Sequence, residues 1–161
     1  VMTIEPAEWR PDTVTAENLI GLMAKLIAQA HLLRQDGPSP LQKWFIQGLS
    51  DYIAAEAFPE SFINQRWLRH VRSAVRRDYD ILKLLDEDLI EDADTPVNLT
   101  AVAHGMVRFL YKSDPEAFVT YYGLLREGKE PEEAMKAAFD LDHQGFAELW
   151  QASALDLLSK P

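Results

Sequence analysis

The sequence predicts an all-α fold, a single compact domain built from several helices. Apolar residues recur at helical spacing in almost every segment, and the apolar–polar alternation that is typical of strands is absent. Proline and cap residues, such as Asp114-Pro115, divide the chain into segments of helical length. Because the connections between these segments are short, each helix is expected to fold back on its neighbours.

Composition limits the classes of function. The 161 residues are 47% apolar and include seven Phe and four Trp, which is enough for one packed core. A formal net charge of −10 argues against general nucleic-acid binding, because a phosphate-binding surface needs positive charge. The absence of Cys excludes disulfides and thiolate metal sites. No apolar run approaches the roughly 20 residues that a membrane span requires, so no membrane-spanning helix is expected.

The first helix is predicted to follow an extended lead-in of residues 1–14 and to begin the helical domain of residues 15–161. Thr15 is a suitable N-cap, and Asp36-Gly37-Pro38 ends the helix. Its large apolar residues form a broad stripe, so the helix is predicted to be largely buried. The stripe consists of Leu19, Ile20, Leu22, Met23, Leu26, Ile27, Ala30 and Leu33.

The second helix is predicted to run from Ser39-Pro40 to Phe58-Pro59, and the third from near Glu60 toward Tyr79. Inward positions of the second are Leu41, Trp44, Phe45, Leu49, Tyr52 and Ile53. Arginines on one face of the third make a candidate anion-binding site, formed by Arg66, Arg69, Arg72 and Arg76, with Arg77 beside them. The acidic run that follows the short apolar stretch 81–85 favours a face that is neutralised internally or solvated. Its members are Asp86, Glu87, Asp88, Glu91, Asp92 and Asp94.

Four further helices are predicted in the second half. The segment Leu99 to Tyr111 places His104 on a polar edge and Gly105 at a close helix contact. Asp114-Pro115 begins the next helix, which Gly128 ends; Pro131 begins another, and Asp142 caps the last. The predicted inward residues are Phe118, Val119, Tyr122, Leu125, Ala134, Met135, Ala138, Phe139, Phe146, Leu149, Trp150 and Leu157.

The segment from Leu22 to Tyr52 carries a family resemblance. His31 is followed by a polar break and then by WFIQGLSDY, residues 44–52, which resembles the W-L-x-E-G-L-A-E-Y signature of peptidase MA-like gluzincins, a class of zinc metallopeptidases. The apolar and acidic positions between Val102 and Trp150 resemble the helical tail of the same family. The resemblance implies the helical half of such a peptidase without its mixed sheet. It also implies export in bacteria.

The residues that would carry the chemistry of that family are replaced. Gluzincins bind zinc through two His one helical turn apart and a Glu from the next helix, with a Glu base beside the first His. The matching positions are Ile27, Ala28, His31 and Gln47. Isoleucine has no donor atom, glutamine is a poor zinc ligand, and alanine cannot deprotonate a metal-bound water. We therefore expect a degenerate cleft without metal, cofactor or catalytic residue, lined by Ile27, Ala28, His31, Trp44, Gln47 and Asp51.

These expectations favour a non-catalytic, metallopeptidase-like helical domain that binds a peptide or partner protein, or that serves as a scaffold. One alternative is a metal-dependent peptidase that uses other ligands, such as His31 with Asp51, Glu56 or another histidine. The other alternative is a helical effector-binding or dimerisation domain of a regulator.

Overall fold

The computed structural model describes residues 16–36, 41–60, 62–88 and 98–159. These residues form eight α-helices and contain no strand, which confirms the all-α prediction. The predicted lead-in 1–14, the Thr15 cap, the Ser39-Pro40 start and three of the six acidic-run residues, Glu91, Asp92 and Asp94, lie outside the described residues. The helices are α1 (Ala16–Asp36), α2 (Lys43–Ala57), α3 (Phe62–Arg76), α4 (Leu82–Asp86), α5 (Leu99–Ser113), α6 (Pro115–Arg126), α7 (Pro131–Phe139) and α8 (His143–Ser159).

The centre of the core is the contact between α2 and α5. Gly48 of α2 packs directly on the backbone of Ala103, so the two helices cross with almost no side chain between them. Trp44 and Phe45 of α2 are fully buried beside this crossing. Both helices are buried on most of their circumference, which is why their sequences are apolar nearly all round.

The remaining helices surround this pair. Helix α6 brings Phe118 and Tyr121 onto Phe45, with the Tyr121 ring edge-on at a centroid distance of 5.5 Å. Helix α7 packs on α6, and α8 packs on α3 and α4. Phe146 of α8 is completely buried and contacts Phe109 of α5. The eight helices therefore share one main apolar core.

Local cap chemistry confirms several predicted boundaries. The Asp114 carboxylate accepts hydrogen bonds from the backbone N–H groups of Glu116 and Ala117, and Pro115 occupies the first turn of α6. Asp142 accepts from Gly145 N–H at 2.7 Å at the start of α8. Gly128, with φ of +82°, follows the end of α6 as predicted.

Outside α1, three residues predicted to face inward are exposed instead: Ile53, Val119 and Leu149. Each lies on the side of its helix that faces away from the core, and no described element covers that side. The prediction that Gly105 marks a close contact is confirmed, because a methyl group there would lie 2.7 Å from Val71 Cγ2.

Helix α1 is oriented against the prediction that its large apolar stripe is buried. Small residues face the domain: Gly21 and Ala28 are buried, and Ala24 packs on Ala54 and Ala55. Five large apolar residues of the same helix point outward, whereas Leu32 is buried in the core and Leu22 and Leu26 are half-buried. Small residues on the inner side let α1 approach α2 closely, and this contact is what turns the stripe away from the core.

Candidate protein-binding surface

The outward side of α1 is an apolar surface. Its five large residues are Leu19 (41% exposed), Ile20 (41%), Met23 (52%), Ile27 (66%) and Leu33 (42%), which we call the outer face of α1. Single exposed apolar residues are normal on protein surfaces, but a contiguous group along one helix is typical of a surface that binds a partner.

The outer face carries no charge. Between Leu19 and Leu33 the only charged residue of α1 is Lys25. Its ammonium nitrogen lies 3.0 Å from the Asp51 carboxylate of α2, and both side chains are mostly buried on the inner side of the helix. The surface that remains outward is therefore apolar over nearly four turns, with His31 and Arg34 exposed toward its C-terminal end.

The six predicted cleft residues do not gather around one open site. Ile27 and His31 are on the exposed side of α1, whereas Ala28 is buried on the opposite side. In α2, Trp44 and Asp51 are buried and Gln47 is half-buried. His31 is exposed and does not pack into the core of the domain.

The ligands suggested for an alternative metal site are held by other groups. Asp51 faces Lys25, and the Glu56 carboxylate accepts a hydrogen bond of 2.9 Å from Arg108 Nη1. Within the described ranges no three His, Cys, Asp or Glu side chains are placed to hold a metal ion. The four histidines lie on four different helices, and His143 contacts Asp86 at 2.5 Å.

The ion pair between Lys25 and Asp51 is expected to fix α1 on α2. Lys25→Met removes the cation that faces a carboxylate with only 7% of its surface exposed, so the free energy of unfolding should fall by about 2 kcal/mol. The matched control is Lys112→Met. Lys112 is exposed and its ammonium nitrogen lies 3.8 Å from the exposed Glu56 carboxylate, so this substitution should change the free energy of unfolding by less than about 0.5 kcal/mol. Urea unfolding measures both variants, and equal losses would contradict this role for Lys25.

The candidate anion-binding face lies on α3. Arg69, Arg72 and Arg76 line an open groove of about 730 Å³ together with Leu68, Ser73 and Arg77. The side chain of Arg66 lies outside the described residues. None of the groove arginines forms an ion pair with a described carboxylate; of the acidic run, Asp86 binds His143 and Asp88 accepts from Trp44 N–H. Glu91, Asp92 and Asp94 lie outside the described residues, so the neutralisation of this face by the acidic run stays a prediction.

A second, more apolar groove of about 410 Å³ lies between α3, α5 and α8. Trp67, Phe109 and Trp150 form its walls, Gly105 lies in its lining, and Arg108 lies at the same groove. The cation Arg108 is already engaged by Glu56. Lys112 also lines the groove and lies 3.8 Å from the same carboxylate, so the groove is an apolar site whose two cations share one acidic partner.

His104 lies beneath this region and is fully buried, so its predicted place on a polar edge is wrong. Its ring stacks on Trp67 at 5.4 Å with an interplanar angle of 14°, and Tyr52 meets it edge-on. Burial, reinforced by the positive charges of Arg108 and Lys25, lowers the pKa of His104 to about 3. The imidazole is consequently neutral at physiological pH and acts as a flat core residue.

The sequence predicts the apolar stripe of α1, but the predicted burial of its five outer residues is wrong. The signal that indicates their orientation is the row of small residues on the opposite side, Gly21, Ala24 and Ala28, because small residues favour close helix contact.

The helices of the described ranges include none that is long and apolar enough to cross a membrane.

Comparison with known proteins adds no relative. No protein-family model matches the chain, and neither a curated protein nor a solved structure shows significant similarity to it. The gluzincin resemblance accordingly stays a prediction from the sequence.

Proposed function

We propose that this chain is a non-catalytic helical domain whose role is to bind a partner protein through the outer face of α1. The observation that carries the proposal is the set of five large apolar side chains, 41–66% exposed and uncharged, on one helix. Burial of such side chains is the main favourable term in protein association. The helix itself is fixed to the domain by Lys25 and Asp51, so it presents a preformed surface.

The absence of assembled chemistry among the described residues supports the non-catalytic part of the proposal. The position that would supply the general base is Ala28, and the position of the first ligand is Ile27, which faces solvent. The proposal thus keeps the protein-binding role expected from the sequence but moves it from a cleft to an exposed helix face.

A second candidate function is the binding of a small effector, favoured by the apolar groove between α3, α5 and α8. Its size lies within the range of small-molecule sites, and three aromatic side chains line it. Such a ligand would contact Trp67 and Trp150 and leave the outer face of α1 uncovered.

Photo-crosslinking tests the proposed function directly. A benzophenone side chain at position 27 in native cells should give one discrete protein adduct, because this position is the most exposed of the outer face. The same probe at Glu132, an exposed site on α7, should give none. Loss of the adduct when Met23→Glu is added would assign it to the face. Equal adducts from both positions, or none from position 27, would overturn the proposal.

Elemental analysis with a peptide-hydrolysis assay tests the non-catalytic part. We expect less than about 0.1 zinc per chain and no chelator-sensitive cleavage, because the replaced positions provide neither ligand set nor base. Stoichiometric zinc with chelator-sensitive cleavage would replace the proposal with the metal-dependent peptidase.

A further inference from the structure

We propose that the partner bound by the outer face of α1 is a second copy of this chain, with the two α1 helices packed antiparallel about a two-fold axis. This inference rests on the proposed function and specifies its partner. A two-fold contact uses the same surface on both copies, so the surface must be complementary to itself. The residues of α1 meet that condition in spacing, in size and in charge.

The spacing is that of a coiled-coil seam. Leu19, Met23, Leu26, Ala30 and Leu33 are separated alternately by four and three residues, which is the a/d pattern of a heptad repeat. A helix that packs only on its own domain would turn these positions inward. Here three of the five are more than 40% exposed, and Leu26 and Ala30 are only partly covered.

The sizes of the seam residues fit an antiparallel pair. When the axis passes between Ala24 and Lys25, Leu19 meets Ala30 of the second copy, and Met23 meets Leu26 of the second copy. Each layer then combines a large residue with a smaller or similar one, which allows even packing. A parallel pair would place Ala30 on Ala30 and leave a gap between the layers formed by Leu26 and by Leu33.

Ile20 and Ile27 extend the contact on one side. Both occupy the e position of the heptad, directly beside the seam. In an antiparallel pair e positions face e positions, so Ile20 lies near Ile27 of the second copy. Two-stranded coiled coils usually carry charged residues at these positions; two isoleucines there widen the apolar contact and explain why Ile27 is the most exposed residue of the face.

The charge pattern allows two copies to meet at the uncharged seam and disfavours an anionic membrane surface as the partner. Each chain carries a net charge of −10, so two copies repel except where their surfaces are uncharged, and the seam is such a surface. A membrane-surface helix instead carries Lys and Arg along its polar side, which anionic lipids attract. The only lysine or arginine between Leu19 and Leu33 is Lys25, and it is engaged by Asp51.

Disulfide crosslinking tests the orientation, and the native chain contains no Cys that would interfere. A mixture of Leu19→Cys and Ala30→Cys proteins should form a crosslinked heterodimer under mild oxidation. Either protein alone should not form one, because the two copies of position 19 would be about 16 Å apart along the axis, beyond disulfide reach. Crosslinking of each variant with itself but not in the mixture would overturn the antiparallel arrangement.

Sedimentation equilibrium tests the contact itself. The wild-type chain should show a monomer–dimer equilibrium, and the double variant Met23→Glu, Ile27→Glu should weaken dimerisation at least about 100-fold. Val119→Glu is the matched control, since Val119 is 65% exposed but lies on α6 outside the face, and it should change the dimer Kd by less than about threefold. Unchanged circular dichroism spectra verify that all three proteins are folded.

The outcomes separate this inference from the proposed function. A wild-type chain that is monomeric up to about 1 mM, with a photo-adduct to a different protein at position 27, overturns the second copy but supports protein binding. Binding of the monomer to anionic vesicles, with no protein adduct, overturns both. An adduct whose mass equals twice that of the chain, together with the crosslinked heterodimer, supports both.

Discussion

Gly48→Ala is expected to lower the free energy of unfolding by about 3 kcal/mol. A methyl group on Gly48 would lie 2.5 Å from the carbonyl oxygen of Ala103 and 2.7 Å from its carbonyl carbon. These are backbone atoms inside α5, so they cannot rotate away as a flexible side chain would. The α2–α5 crossing at the centre of the core must therefore open, and the packing around Trp44 and Phe45 opens with it.

Gly123→Ala is the matched control within α6. No atom outside its own helical turn lies within 4 Å of the added methyl group, and alanine is the better helix former, so stability should rise by about 0.5–1 kcal/mol. Urea unfolding followed by circular dichroism measures both variants. If the two substitutions shifted the unfolding midpoint in the same direction by similar amounts, the close crossing of α2 and α5 would be contradicted.

Gly105 and Gly48 also show what the sequence can predict. Gly105 was expected at a close contact because glycine in the middle of a helix is unfavourable without a packing reason, and it does touch Val71. Gly48 carries the same signal, but it also matches the Gly of the peptidase signature, so its type and position fit both explanations. Helix ends such as Asp114-Pro115 were predictable because caps are formed by residues that are close in sequence.

The direction in which a helix faces is less predictable, because it depends on residues far away in the chain. The apolar stripe of α1 fits either a core or an interface, and hydrophobic periodicity is the same in both cases. What decides between them is the contact of Ala24 with Ala54 and Ala55, and the pair of Lys25 with Asp51. The sequence therefore predicts which residues form the candidate site but not that they form an exposed surface.

His104 shows the opposite difference from the apolar residues of α1. It is predicted on a polar edge but lies in the core. Its environment is made by Trp67 and Tyr52 from two other helices, which the sequence around position 104 does not reveal. In the unfolded chain an exposed histidine has a pKa of about 6.5, whereas in the folded domain burial lowers the pKa of His104 to about 3.

This difference in pKa predicts acid destabilisation. Above pH 6.5 the imidazole is neutral in both states, and its contribution to stability is complete. As the pH falls from 6.5 toward 3, the unfolded state takes up a proton that the folded state does not, so stability is lost at about 1.4 kcal/mol per pH unit. Between pH 6.5 and pH 4.5 the loss from His104 alone should be roughly 2 to 3 kcal/mol.

His104→Phe should remove this part of the pH dependence. Phenylalanine keeps a flat ring on Trp67, and it replaces two ring nitrogens that have no hydrogen-bond partner among the described residues, so the variant should be at least as stable as wild type at pH 7. Urea unfolding at pH 6.5 and pH 4.5 measures the slope. Both proteins contain the same carboxylates, so the difference between their slopes isolates position 104. Gly123→Ala, which changes no ionisable group, should retain the wild-type slope. Equal slopes for wild type and His104→Phe would show that position 104 is not the acid-sensitive group, and the buried, neutral imidazole would have to be abandoned.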